Sequence, residues 1–491
     1  MRRPVSRYDA SRGTLVRLVT LFPGLCIVQT WTGPRCPTPP GCLPAEHRLQ
    51  SKAERGSYLM QRRSFVKGLA AATAAVQMWP EMAQGVNNRL STLRTDLDAL
   101  LGEADLWRRV RIEFQLNPGL VHFNTGSVGA APRVVTDTVS QYLSQLEGNP
   151  NHNVWGPIGN LAEEVRTRAA EFLGADVSEV AITRNTTEGM NQIATGIDLD
   201  AGDEVLTTSH EHGGGVCCWE HLQKHRGVQV NYMKMPNPVQ NKEQFLQLLE
   251  QHLTPRTRVV SLMHVDTITG MVYPLADVAK ITRPRGILLV CDGAHAPGML
   301  HMNLKLLGVD AFASSSHKWM LAPKGSGLLY IRREVQDRIH PISLYSGFSA
   351  YSASMGTRNV AHIIGHGVAM DFHNTLGRAN VEARCRQLSN RLRSHLLQFP
   401  RLRLLTPMQV ELSSGIVTFA VDGMPRAEIA SQLFAKHSMI VKNAQGTYAF
   451  ATNPVDKAKK QDYNCLRFST HIYNSEAEVD RLASHIEDIL A

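Results

Sequence analysis

The chain has 491 residues, enough for one large α/β domain and a smaller one, and its 43% hydrophobic and 19% charged residues are the proportions of a globular protein. Residues 1–89 carry 13 of the 52 Lys and Arg but 4 of the 43 Asp and Glu, so they hold the whole formal charge of +9 and the rest is neutral. A neutral body has no electrostatic footprint for DNA or RNA, which argues against a nucleic-acid partner. Cys26, Cys36 and Cys42 lie in the leader; Cys217, Cys218, Cys291, Cys385 and Cys465 lie in the body. None forms a CxxC pair, so neither a metal centre nor a disulfide framework is expected.

Residues 1–59 are rich in Arg and Pro, with "GPRCPTPPGC" near the middle. They read as a disordered extension, or as a start-site artefact ahead of Met60. From Met60 the chain runs "MQRRSFVKGLAAATAAVQMWPEMAQG". Arg62, Arg63, Phe65 and Lys67 before a weakly apolar, Ala-rich run resemble a twin-arginine export signal over 60–86. The run is too short and Ala-rich for a stable membrane anchor. The resemblance implies contact with the twin-arginine machinery and a periplasmic or exported location. That route carries folded proteins, which suits a chain that must acquire a cofactor first.

Residues 87–120 carry a helical pattern that breaks at Asn117-Pro118-Gly119. From 121 to 370 short apolar runs, among them "DEVLTT", "RVVSLMHV", "GILLVCD", "DAFASSS" and "GSGLLYI", alternate with helical segments such as "NKEQFLQLLEQHL". Strands alternating with helices predict a mainly parallel sheet covered by helices on both faces. Residues 371–491 open with a long polar helix and continue with mixed elements, a smaller α+β C-terminal domain.

Ligands of such sheets sit at the carboxyl ends of the strands, and four features fall there. Asp292 follows the run "GILLVC" directly, a costly place for an unpaired carboxylate. Lys318 follows the next strand. Thr186 and Thr187 open a helix, whose free N–H groups and dipole favour an anion. His210 and His212 follow "DEVLTT". Each feature alone has a plain alternative: a turn aspartate, a helix cap, loop histidines, a surface lysine. Together they are the set pyridoxal 5′-phosphate needs. A lysine forms the Schiff base, a carboxylate keeps the ring nitrogen protonated, a ring stacks on the pyridine, and hydroxyls hold the phosphate.

In this order the motifs resemble the class V aminotransferase family of fold-type-I pyridoxal-phosphate enzymes, near the isopenicillin-N-epimerase-like proteins and cysteine desulfurases. The resemblance runs from about Val121 to the C-terminus. It implies Lys318 as the Schiff-base lysine, His212 as the stacking ring and Asp292 as partner of the ring nitrogen. It also implies His295 near the ring hydroxyl, and Thr186, Thr187, Ser315 and His317 around the phosphate. "HFNTGSVGAAP" supplies Asn124 and Gly126 toward the substrate, and "NPNHNVWG" is similar to a loop over it. "LRFSTHIYNS" supplies Arg467, whose planar fork suits a substrate carboxylate. "GTRNVAHIIG" implies that Thr357 reaches the phosphate of a neighbouring subunit, hence a homodimer with shared sites.

The family chemistry starts from an amino acid or amine and uses the freed lysine as general base. It leaves transamination, epimerisation and C–S cleavage open, with the aminotransferase-type reading first. The nucleophilic cysteine that desulfurases carry before the anchoring arginine is missing, since Cys465 is the only cysteine in that stretch. The same stretch carries a Lys-rich insert, "NPVDKAKKQDYN". A two-base epimerase needs an acid on the opposite face, for which Tyr345, Tyr351 and His152 are candidates. A nucleotide-binding oxidoreductase lacks its GxGxxG turn here. A non-catalytic exported binding protein is opposed by the presence of Lys318 and Asp292.

Overall fold

The computed structural model describes residues 85–86, 88–99, 103–444 and 463–491, with the backbone of three strands within 6–31. The chain divides into two units, Met1–Gln77 and Met78–Ala491. In the first, Ser6–Asp9 and Leu25–Trp31 each pair antiparallel with Thr14–Phe22, a pattern the Arg- and Pro-rich composition did not suggest. The twin-arginine stretch lies outside the described residues apart from 85–86, and the Lys-rich insert apart from 463–464.

In the second unit residues 88–99 are helical and α1 spans Glu103–Arg111. β1, Val121–His122, leads to helices α2 (Arg133–Gly148), α3 (Pro150–Trp155) and α4 (Pro157–Leu173). The "NPNHNVWG" stretch is therefore a short helix, not a loop: Pro150 stands in its first turn and the Asn149 side chain accepts from the His152 N–H.

The central sheet comprises β2 (Val180–Thr183), β3 (Glu204–Thr208), β4 (Gln229–Met233), β5 (Thr257–Met263), β6 (Leu288–Asp292), β7 (Ala311–Ser315) and β8 (Gly327–Ile331). Their spatial order is β2–β8–β7–β6–β5–β3–β4. β3 to β7 run parallel, and β8 is antiparallel to both of its neighbours. Along β6 the side chains alternate between two cores. Leu288 and Val290 pack with Met190, Ile193 and Trp219 of α5 (Thr186–Thr195) and α6 (Gly213–Arg226). Leu289 and Cys291 pack with Phe245 and Val278 of α7 (Lys242–His252) and α8 (Leu275–Thr282) on the other face. Both faces being covered explains why the strands are apolar runs and not alternating ones.

Helices α9 (Val360–Leu376) and α10 (Arg378–Leu396) connect this layer to the C-terminal one, and α9 runs straight through the expected boundary at 370/371. There β9 (Leu402–Leu404), β10 (Ile416–Val421), β12 (Lys442–Ala444) and β13 (Cys465–Ser469) form an antiparallel sheet in the order β9–β10–β13–β12. Helices α10, α11 (Arg426–His437) and α12 (Glu476–Leu490) cover it through Leu388, Leu392, Ile429, Leu433, Leu482 and Ile486. β11 (Met439–Ile440) pairs in parallel with β1, so Val121 and Phe123 belong to this core although they lie far back in sequence.

The layers are stitched by one loop after β5. Thr406 Oγ1 donates to the Thr269 carbonyl at 2.5 Å, Thr418 Oγ1 to the Ile268 carbonyl at 2.6 Å and Ser414 Oγ to the Gly270 carbonyl at 2.7 Å. These bonds press the C-terminal sheet against the carboxyl edge of the central one. Among the described residues no helix is long and apolar enough to cross a membrane.

Candidate active site

Asp292 is the last residue of β6 and is 4% exposed. Its Oδ1 accepts from the Ala294 N–H at 2.9 Å, a turn that fixes the carboxylate on the sheet edge. A Cβ on Gly215 would stand 2.5 Å from Asp292 Oδ2, so α6 approaches the carboxylate this closely only because glycine is there. One strand over, Ser315 ends β7, and its Oγ accepts from the Thr186 N–H and bonds the Thr186 hydroxyl, both at 2.9 Å. This pair joins the end of β7 to the N-terminus of α5, whose cap is Asn185 accepting from the Glu188 N–H. Thr187 lies against Gly214, beside His212, the cap of α6.

Lys318 follows in a turn held from two sides. The Trp319 indole N–H donates to His295 Nδ1 at 3.0 Å, and the Trp319 carbonyl accepts from His471 Nε2 at 2.8 Å. The Trp319 and His471 rings also stack, with centroids 5.4 Å apart. Leu321 closes the turn at φ 60, a left-handed conformation that costs an ordinary side chain about 1 kcal/mol or more. Gly298 at φ 90 fits against the Trp319 carbonyl and the Met320 N–H, where a Cβ would collide with backbone.

The Trp319 bond also sets the histidine tautomer. With Nδ1 accepting, the proton of a neutral His295 sits on Nε2, which faces Thr267 Oγ1 at 3.2 Å and Lys318 Nζ at 3.5 Å. Burial, then the charges of Lys318 and Arg467, hold this imidazole well below its usual range, hence neutral. Burial also lowers the Lys318 amine to about 8; Asp292 works against that shift and Arg467 adds to it. His212 stands at the rim, and its partial burial, followed by the Lys318 charge, lowers its imidazole as well.

Arg467, on β13, is 2% exposed. Its Nη1 donates to the Thr267 carbonyl at 2.7 Å and to Thr267 Oγ1 at 3.0 Å. Nη2 reaches Ser127 Oγ at 3.3 Å and Asn124 Oδ1 at 3.5 Å. Gly126 lies over this group: a Cβ there would be 2.9 Å from Ser469 Oγ, 3.1 Å from Arg467 Nη2 and 3.2 Å from His295 Cε1.

Nearly all the sequence-derived residues therefore converge: Lys318, His295 and Arg467 through Thr267, Asp292 against α6 with His212 and Thr187, Thr186 with Ser315, and Asn124 and Gly126 with Arg467. His317 turns its ring toward the Ser326 backbone and Lys324, and burial with the Lys318 charge lowers it to about 4. Among the described residues no bond joins it to the Thr186–Ser315 pair, and its buried Nδ1 has no partner there. Thr357 is exposed and lines a separate cavity of about 530 Å³ with Arg184, Lys324, Arg358 and His366. Of the three candidate acids, Tyr345 is 91% exposed and His152 is exposed on α3. Tyr351 packs edge-on against Trp155 and accepts from the Arg358 N–H at 3.1 Å. His210 is buried in a separate network, its Nδ1 2.6 Å from Asp266 Oδ2 and its Nε2 3.0 Å from Asn237 Nδ2.

Thr267, Ser127, Trp319 and His471 were not anticipated, and neither was Glu211. Its carboxyl accepts from the Thr208 hydroxyl at 3.0 Å, and burial, with Asp292 and Asp266 adding, raises it well above the usual carboxylate range.

The donor set fits pyridoxal 5′-phosphate. A desolvated lysine amine stands within the field of Asp292, and glycines clear the space over Asp292 and Arg467. Hydroxyls gather at a helix N-terminus, and an imidazole with a fixed N–H lies between lysine and arginine. Such a site on an open, mainly parallel sheet defines a pyridoxal-phosphate enzyme of fold type I. Residues 123–482 match the family model described as Aminotransferase class-V, and the chain belongs to that family. It is 28% identical over 402 residues to an isopenicillin N epimerase of Streptomyces clavuligerus, covering 78% of this chain and 98% of that protein. Among solved structures, the apo cysteine desulfurase of Thermococcus onnurineus NA1 matches with a TM-score of 0.67 at 24% identity, over 78% of this chain and 97% of the other. A C-DES variant with glycine covalently linked to its PLP cofactor matches with a TM-score of 0.66 at 24% identity, over 77% and 99%.

An amine lowered to about 8 reacts with the cofactor aldehyde only when unprotonated. Cofactor-stripped protein should therefore recombine with pyridoxal 5′-phosphate at a rate that rises with pH and levels off above about 8. Arg467→Gln should move the midpoint upward, because the guanidinium no longer opposes a second cation. Stopped-flow absorbance checks both; a midpoint near the ordinary lysine value in the parent protein would refute the desolvated amine.

Proposed function

We propose that the protein acts on the Cα of an amino acid, with Lys318 as the base and Arg467 as the anchor of the substrate carboxylate. The observation that carries this reading is the Lys318 amine, lowered to about 8 and 3.5 Å from a histidine that joins it through Thr267 to a buried arginine. Bound pyridoxal phosphate supplies an electron sink for the pair released at Cα. Asp292 would hold its ring nitrogen, and Thr186, Thr187 and Ser315 its phosphate. Arg467, fixed by Thr267, Asn124 and Ser127, offers its fork to the carboxylate and so places Cα over the lysine. Lys318 takes the proton, its depressed basicity keeping a fraction of the amine free near neutral pH. His295 keeps an N–H directed into the site because Trp319 occupies its other nitrogen.

One base at Cα suits an aminotransferase-type reaction, in which the same amine takes and returns the proton. Epimerisation is the second reading, favoured by the likeness to an isopenicillin N epimerase over almost the whole of that protein's length. Persulfide chemistry is disfavoured, since Cys465 is fully buried in β13. We further propose a homodimer in which Thr357 completes the partner's phosphate site. Its exposure, and its place on a cavity apart from Lys318, support this reading. Export by the twin-arginine route is proposed from the 60–86 segment alone.

Lys318→Ala should abolish the cofactor's visible absorbance band and lower turnover roughly 100- to 10,000-fold, whereas Asp292→Ala should keep the cofactor and lose nearly all activity. A panel of L- and D-amino acids in deuterated water reads the reaction: keto product marks transamination, Cα exchange without it epimerisation, released sulfide or thiol a lyase. A fully active Lys318→Ala protein sinks the proposal. Mixing Lys318→Ala with Thr357→Ala subunits should restore about a quarter of parent activity, the share of sites pairing an intact lysine with an intact threonine; no recovery in confirmed mixed dimers rules out shared sites. Replacing Arg62 and Arg63 by Lys should leave the protein in the cytoplasm on fractionation, and unchanged export would count against the signal.

A further inference from the structure

A second cation stands beside the carboxylate anchor. Lys442 lies on β12, the edge strand, directly opposite Arg467 in the antiparallel register, and Thr418 of β10 is opposite Arg467 on its other side. Directly opposed residues share a face, with Cβ atoms about 5 Å apart. That face is the one against the active-site loop, because Thr418 Oγ1 donates to the Ile268 carbonyl and Arg467 to Thr267. Lys442 is half-buried. Two cations on neighbouring strands repel each other, and partial burial of the lysine adds to that cost. The arrangement makes sense where a ligand brings negative charge between the two cations. Burial, then Arg467, lower the Lys442 amine, and Lys442 in turn is among the charges that lower His212. The Lys442 charge is thus felt at both Arg467 and His212.

We propose that Lys442 is a specificity-determining residue that binds a second anionic group, on the side chain of a dicarboxylic or similarly acidic amino-acid substrate. The inference rests on Arg467 as anchor of the α-carboxylate. With that group held at Arg467, the lysine on the next strand meets an acid farther along the same ligand. The bland role for an edge-strand lysine, blocking edge-to-edge association, requires an amine turned to solvent and no effect on ligand choice.

The test reads binding alone, so it remains decisive even if the Cα chemistry proposed above fails. Calorimetry on the holoenzyme would compare glutarate with its monoamide, and butyrate as a one-carboxylate control. The parent should bind glutarate about tenfold tighter than the monoamide. Lys442→Met should erase that difference while leaving butyrate affinity unchanged, and Lys442→Arg should retain it. Arg467→Gln should weaken all three; an Arg467→Gln protein that binds butyrate as the parent does would remove the anchor and this inference with it. Equal affinities for glutarate and monoamide in the parent, or a preference that survives Lys442→Met, would overturn the assignment of Lys442.

Discussion

The site depends on one electrostatic arrangement: an amine taken out of water beside a carboxylate, with a guanidinium close enough to discourage its protonation. In bulk solvent a lysine is too well solvated and too basic to act as nucleophile or base near neutral pH. Here burial lowers it to about 8, Asp292 limits the fall, and Arg467 deepens it. Those three residues stand at three separate places, the end of β6, the turn after β7, and β13. Much of the architecture serves to bring them together.

What was legible in the sequence was what strand ends make legible. Asp292, Ser315, Lys318, Thr186 and His212 each follow an apolar run or open a helix, so their neighbourhood follows from the rule that parallel strands end on one edge. The long helix of the C-terminal layer was equally readable from its pattern. The supporting residues were not. Trp319 acts through His295 and through His471, which is 152 positions away, and Thr267 through Arg467, 200 positions away. No local pattern announces such pairs. Likewise β1 reads as the start of the large layer, yet it pairs with β11, because its partner is chosen by packing against Phe123 and the C-terminal core.

The residues that lie away from Lys318 within one subunit are informative for the same reason. Thr357 sits in a motif without a strand-end position, and it faces a cavity that also holds the fully buried His366, whose two ring nitrogens have no partner among the described residues. Tyr345 and His152 are polar or aromatic residues in exposed segments, where sequence alone cannot tell a surface side chain from a lining one. Glu211 was passed over next to His212, although burial, with Asp292 and Asp266 adding, raises its carboxyl well above the usual range.

The loop at 266–272 carries one last implication. It lines the pocket with Thr267 while Thr406, Ser414 and Thr418 fasten its carbonyls to the opposing layer, and Val272 adds a backbone bond to Leu412. The two layers that carry Lys318 and Arg467 are riveted by the very segment that lies between them. For the proposed amino-acid substrate, those bonds work against a hinge between the layers and favour discrimination by side chains already standing in place.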